Sequence, residues 1–278
     1  MEIGCERLER HINQIDCSKH MNPYKTYLDK IFNRIIELRH IASHINITLL
    51  DSIKNIEKSK KVFLSGSALV ISDWTGPTNN GWEINFHTGI RKTTYKENYI
   101  NEVDSIISQE CCHAFAQSFE ALERFIKDCL FAKIQRDSKF KAVLGFPSDD
   151  KITRTDLPGG DKLFKYIKKA GDPNFSKFSS TNNSKIKFKE FWAVISQSRH
   201  AIIHSNSEIS NSKINISKHH LDIFSHFFNS YEPGNQVTLI MLNYRMLDKL
   251  LKAISEFAFQ IFKALSINEN LDWVIDEK

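Results

Sequence analysis

The chain has 278 residues, 41% of them hydrophobic and 26% charged, with a formal net charge of +5 and a pI near 8.8. That is enough chain for one large domain or for a domain with a substantial extension, and the mild basicity suits a polyanionic partner without requiring one. Cys5, Cys17, Cys111, Cys112 and Cys129 contain no CxxC pair, which argues against a disulfide framework and a structural zinc site. No window approaches the roughly 18 apolar residues of a membrane span and no secretory core opens the chain, so the expectation is a cytoplasmic protein without a membrane partner.

In chain order, residues 24–59 place Tyr27, Leu28, Ile31, Ile35, Leu38, Ala42, Ile45 and Leu49 on one apolar side, which predicts a helix. Two strands are predicted at 62–72 and 82–90, separated by the turn-rich segment 75–81. Residues 1–100 thus read as an N-terminal helix and β-hairpin extension. From 101 on, Val103, Ile106, Ile107, Ala114, Phe115, Phe119, Leu122, Ile126 and Leu130 form a long helical stripe, whose length suggests a break near Cys111. Residues 137–184 are rich in Gly, Pro, Ser, Asn and Lys and read as a loop-rich insertion, with one short helix at 161–170 closed by Gly171.

A further helix carries Phe188, Phe191, Trp192, Ile195, Ile202 and Ile203 and ends in the Ser/Asn-rich stretch 205–212. Segments 221–228 and 237–242 flank Glu232-Pro233-Gly234-Asn235 and suggest a hairpin, with a helix as the alternative for the first half. A last helix runs from Tyr244 to Leu265 at regular apolar spacing. The fold class expected is mainly α.

The most chemical segment is Arg199-His200-Ala201-Ile202-Ile203-His204. Arg holds phosphate through parallel hydrogen bonds, and His exchanges protons near neutral pH. The spacing alone is weak, because 11 His in the chain make chance matches common. Arg39-His40-Ile41-Ala42-Ser43-His44 repeats it. The second copy is preferred because it closes a long apolar helix, whereas strands follow the first, whose polar residues read as surface or interface groups. At about 100° per residue His200 and His204 share a face, and Arg199 starts about 140° from His204, so its arm must swing back.

This segment, between two long helices, resembles the signature of the HEPN superfamily: an Arg, a polar residue, three variable residues and a His. The resemblance covers roughly residues 101–267. It implies a four-helix-bundle core in 101–278, with the motif late in the third core helix, and a symmetric homodimer. It implies a metal-independent endoribonuclease without cofactor, in a toxin–antitoxin or phage-defence setting with an antitoxin or regulatory protein as partner. By resemblance, Arg199 stabilises the scissile phosphate of single-stranded RNA, His204 activates the ribose 2′-hydroxyl, and His200 takes the polar position. The products are a 2′,3′-cyclic phosphate and a 5′-hydroxyl. Some HEPN toxins carry a modifiable Tyr two residues after the His; Asn206 stands there, against regulation by that route.

Lys185, Lys187 and Lys189, with which the motif helix is expected to begin, are either a solvated face or an RNA phosphate track. The alternative function is a non-catalytic HEPN-like dimerisation or RNA-binding module. A metal-dependent hydrolase using Cys111, Cys112, His113, His219 and His220 is disfavoured, because adjacent ligands on a helix diverge by about 100°.

Overall fold

The computed structural model describes residues 22–73, 75, 85–147, 151–228 and 234–274. Cys5, Cys17, most of the expected 75–81 turn, the start of the second predicted strand and Glu232-Pro233 lie outside them. The described residues are mainly helical, with two small two-stranded sheets.

Helix α1 (Lys25–Glu57) buries Leu28, Ile31, Ile35, Leu38 and Ala42, the positions that a 3.6-residue period lines up on one side. That side lies against α2 (Tyr99–Arg136) and the last helix, α9 (Tyr244–Asn268). α1 and α2 run antiparallel: the Arg136 guanidinium donates to Tyr24 at one end, Arg34 donates to Gln117 midway, and the Ser52 and Tyr99 hydroxyls meet at the other end. The start of α1 is locked to the end of α9 by Glu269, which accepts from the Tyr24 hydroxyl at 2.6 Å, Lys133 at 2.8 Å and Arg136 at 2.9 Å. Lys133 is buried and tolerates burial because this carboxylate neutralises it.

The hairpin is different. Strands β1 (Phe63–Ser72) and β2 (Asn85–Tyr95) pair antiparallel, with a register shift between Ala68 and Val70. Opposite that shift Gly89 adopts φ +78°, which a residue with a Cβ rarely takes. Leu69, Val70, Ile71, Phe86 and Ile90 are all exposed. An ion pair between Lys92 and Glu102 ties the hairpin to α2. Of the first hundred residues, then, the hairpin projects as an appendage while α1 is a wall of the core.

α2 is one continuous helix of 38 residues, with no break near Cys111. Its length is sustained because neighbours cover several of its faces: Cys111, Cys112, Ala114, Phe115, Ala116, Ser118 and Phe119 are all buried, so cysteines that look like a discontinuity in sequence are small core residues. The expected insertion is also more structured than its composition suggests. It contains α3 (Ser138–Val143), α4 (Gly160–Gly171) and α5 (Asn174–Thr181). Phe164 and Phe175 meet edge to face, Phe164 also packs against Trp192, and Phe175 also meets Phe188 and Phe257 edge to face. Each such ring contributes about 1.5–3 kcal/mol through burial, which explains why the segment packs into the core.

Helix α6 (Phe188–His204) lies between α2 and α8 (Lys218–Phe228). The expected hairpin around residues 232–235 is absent: α8 is a helix, and β4 (Val237–Leu239) pairs instead with β3 (Glu208–Ser210), directly after the motif. A one-turn helix, α7 (Asn211–Ile214), follows β3. α8 is helical because Ile223, Phe224, Phe227 and Phe228 bury one helical face.

Candidate active site

The motif occupies the last turns of α6. The helix stops there because Asn206 and Ser207 adopt left-handed φ values of +49° and +66°, and the amides of Ser205 and Ser207 both donate to the Ala201 carbonyl, at 2.9 and 3.0 Å. This turn satisfies the helix end with backbone groups, leaving the two imidazoles free of a capping role. The chain then enters β3.

His200 and His204 are exposed and lie side by side, with ring centroids 4.8 Å apart and planes at 47°. One face of α6 thus carries two accessible imidazoles a single helical turn apart, a pair suited to taking up a proton at one ring and delivering one from the other. Exposed Ile203 lies between Arg199 and His204 on the helical wheel.

Arg199 takes the other direction. Its Nη2 donates to Glu120 Oε1 of α2 at 2.7 Å, and among the described residues its buried Nε has no partner. The adjacent Ser198 hydroxyl is also buried and unpartnered. The Arg199 side chain is 24% exposed and that of Glu120 51%, so the guanidinium is partly shielded while water still screens its carboxylate partner. The expected swing of Arg199 toward His204 is replaced by this ion pair: within one copy the guanidinium is committed to α2, while His200 and His204 start about 100° and 140° round the helix from it.

Glu120 belongs to a stripe on α2 that sequence reasoning passed over. Gln117, Glu120 and Arg124 recur at three- and four-residue steps, all exposed, and with Tyr27, Lys30 and Arg34 of α1 they line a groove of about 560 Å³ whose floor is Ile31, Ala121 and Phe125. Arg34 is held by Gln117 and Glu37, at 2.6 and 3.0 Å. Asp128, at one end, is paired with Arg154. Lys30 lies over the Tyr27 ring, 5.7 Å from its centroid. Arg124 makes no ion pair among the described residues. The only signal for this groove in the sequence was the helical spacing of charged residues on two helices, and nothing in it revealed that the two would face one another.

The other expected site residues separate. Lys185 lines a recess with His219, Asp222, His226, Lys249 and Lys252, whereas Lys187 and Lys189 line another with Phe164, Lys168 and Phe175. They precede the motif by about 20 Å of helix. Arg39 donates to Asp248 on α9, and His40 and His44 pair with centroids 4.5 Å apart. Cys111 and Cys112 are buried, and burial pushes their thiols up to about 12 and about 11. No group of three or more His, Cys, Asp or Glu among the described residues is placed to hold a metal ion, and no helix there is long and apolar enough to cross a membrane.

Compared with known protein families, curated proteins and solved structures, the chain matches none.

Proposed function

We propose that this chain is an endoribonuclease of the HEPN type, acting on single-stranded RNA at Arg199, His200 and His204. The observation that supports the reading is that the last turns of α6 carry both a half-buried guanidinium already bound to an anion and, on another side, two accessible, adjacent imidazoles. A site that binds a carboxylate through Arg binds a phosphodiester by the same chemistry. His204 takes the proton of the 2′-hydroxyl, the 2′-oxygen bonds to phosphorus, and the 5′-oxygen leaves with a proton from an imidazolium. The products are a 2′,3′-cyclic phosphate and a 5′-hydroxyl. The reaction needs no metal, because the nucleophile is within the substrate and Arg199 supplies the positive charge.

Because Arg199 and His204 diverge within one copy, the proposal includes a homodimer in which the face around Ile203 meets its symmetry mate, so that His204 of the partner subunit approaches Arg199. The HEPN-like core is read as α2, α6 and α9 with one of the short helices between α2 and α6. Lys185, Lys187 and Lys189 lie far enough from the motif to serve only remote phosphates. A toxin–antitoxin or phage-defence setting, with an antitoxin or regulatory protein restraining the enzyme, accompanies the resemblance.

The test is cleavage of single-stranded RNA in EDTA. Wild type should produce cyclic-phosphate ends, and Arg199→Ala and His204→Ala should each lose cleavage by about 10²–10⁴-fold; undiminished cleavage by both variants refutes the site. The Arg199–Glu120 ion pair also suits a second reading, a non-catalytic dimerisation or RNA-binding module. That reading is supported if wild type binds RNA saturably, with strong salt dependence, and leaves it intact.

A further inference from the structure

We infer that the α1–α2 groove seats the single-stranded RNA backbone beside the cleaved bond, and that Glu120 occupies Arg199 as a stand-in anion until a phosphate displaces it. This rests on the nuclease reading above and adds where the substrate lies and what must move.

The groove has the size of a nucleotide-binding cleft. Its apolar floor of Ile31, Ala121 and Phe125 is bordered by Lys30, Arg34 and Arg124, and Tyr27 offers a ring at one end. Cations along a cleft with an aromatic at its end are what a single strand uses: phosphates follow the charges, and a base would stack on the partly exposed Tyr27 ring as Lys30 moves off it to a phosphate. The acids in the lining are largely spoken for. Asp128 is paired with Arg154, and Glu120 with Arg199. Arg124 is left without an ion pair among the described residues, and Arg34 is oriented by Gln117 and by an exposed ion pair with Glu37, which a phosphate would have to displace.

Continuity with the motif is the second observation. Glu120 lines the groove on one side and accepts from Arg199 on the other, so a strand lying in the groove brings a phosphate next to the guanidinium. The Glu120 side chain is 51% exposed and can turn into water. Exchange of a carboxylate for a phosphate keeps the Arg199 charge compensated while freeing the guanidinium to follow the strand toward the imidazoles.

The experiment measures binding of a 2′-O-methyl RNA oligonucleotide, which lacks the nucleophile, to the full chain by fluorescence anisotropy over a range of salt. Arg34→Ala with Arg124→Ala should weaken binding by roughly tenfold or more and reduce the slope of log affinity against log salt by about 1.4. The Lys pair at the same positions should retain most of the affinity, which separates lost charge from lost fold. Glu120→Gln should tighten binding. Lys249→Ala with Lys252→Ala, which removes the same charge elsewhere, should change it little.

Wild-type affinity in the Arg34/Arg124 double variant, or an equal loss in the Lys249/Lys252 control, overturns the groove. Unchanged affinity in Glu120→Gln overturns the stand-in role. If Arg199→Ala and His204→Ala still cut ordinary RNA while the Arg34/Arg124 variant loses binding, the catalytic assignment falls and the groove survives. If the groove variant binds normally while His204→Ala is inactive, the reverse holds.

Discussion

The chain contains the same Arg-His-x3-His spelling twice, and the two copies share more than their spacing. In both, the histidine rings lie one turn apart, edge-on at 4.5 Å on α1 and tilted at 4.8 Å on α6, and in both the arginine reaches an acid on a neighbouring helix. The difference lies in their surroundings. The Arg39 side chain is 58% exposed and sits mid-helix, its pair with Asp248 a surface contact; the Arg199 side chain is 24% exposed, lies in the last turns of a helix and holds Glu120, which lines a groove. A six-residue pattern therefore specifies a local shape that α-helical geometry gives almost for nothing, and chemical potential is conferred by what the rest of the fold places beside it.

The largest effect that would break this comparison is catalytic. The double variant Arg39→Ala with His44→Ala should cleave single-stranded RNA at the wild-type rate, while Arg199→Ala with His204→Ala falls by about 10²–10⁴-fold. The reverse ranking in a rate assay would transfer the site to α1. An exposed pair such as Arg39–Asp248 is worth no more than about 1 kcal/mol, so the first variant should also unfold almost normally.

A smaller effect sharpens the distinction between α1 and the hairpin that follows it. Leu28→Ala removes a fully buried side chain and should cost about 2–5 kcal/mol in urea unfolding. Leu69→Ala, on the exposed hairpin, should stay within about 0.5 kcal/mol. Equal losses would mean that the hairpin is as integral to the core as the helix.

The smallest effect concerns the thiols of α2. Burial, the main cause, pushes Cys111 and Cys112 up to about 12 and about 11 and holds Cys129 well above its ordinary value of 9.0. The folded chain keeps protons that the unfolded chain releases, so their contribution to stability is whole below about pH 9 and declines as pH rises toward 12. Urea midpoints measured across that window should fall. Cys129→Ala should make the fall shallower, and an unchanged slope would show that this thiol does not contribute.

The long amphipathic helices were legible because their period is written in aliphatic residues: Leu28 to Ala42 foretold α1, and Leu247 to Leu265 foretold α9. The uninterrupted α2 was misjudged because its middle is packed on several sides, and a helix covered that way loses the polar face that marks continuity. Phe164 and Phe175 were hidden in a Gly- and Ser-rich segment whose helices are too short to show a period. The β3–β4 pair, three residues a side, carries no periodic signal at all. At the site, His200 and His204 followed from spacing. The Glu120 contact did not, because it joins residues 79 positions apart and depends on how two helices cross.

The turn after α6 has a consequence for tolerance to change. Because the Ser205 and Ser207 amides converge on a single carbonyl, the His204 ring takes its bearings from main-chain atoms. The side chain at 206 can therefore drift in evolution so long as the left-handed kink persists, whereas the Ser207 side chain also hydrogen-bonds with the buried Cys112 thiol. Glycine at 206 would suit the torsion as well or better, whereas proline at 207 would delete a donor and loosen the mooring of the His204 imidazole without touching the ring itself.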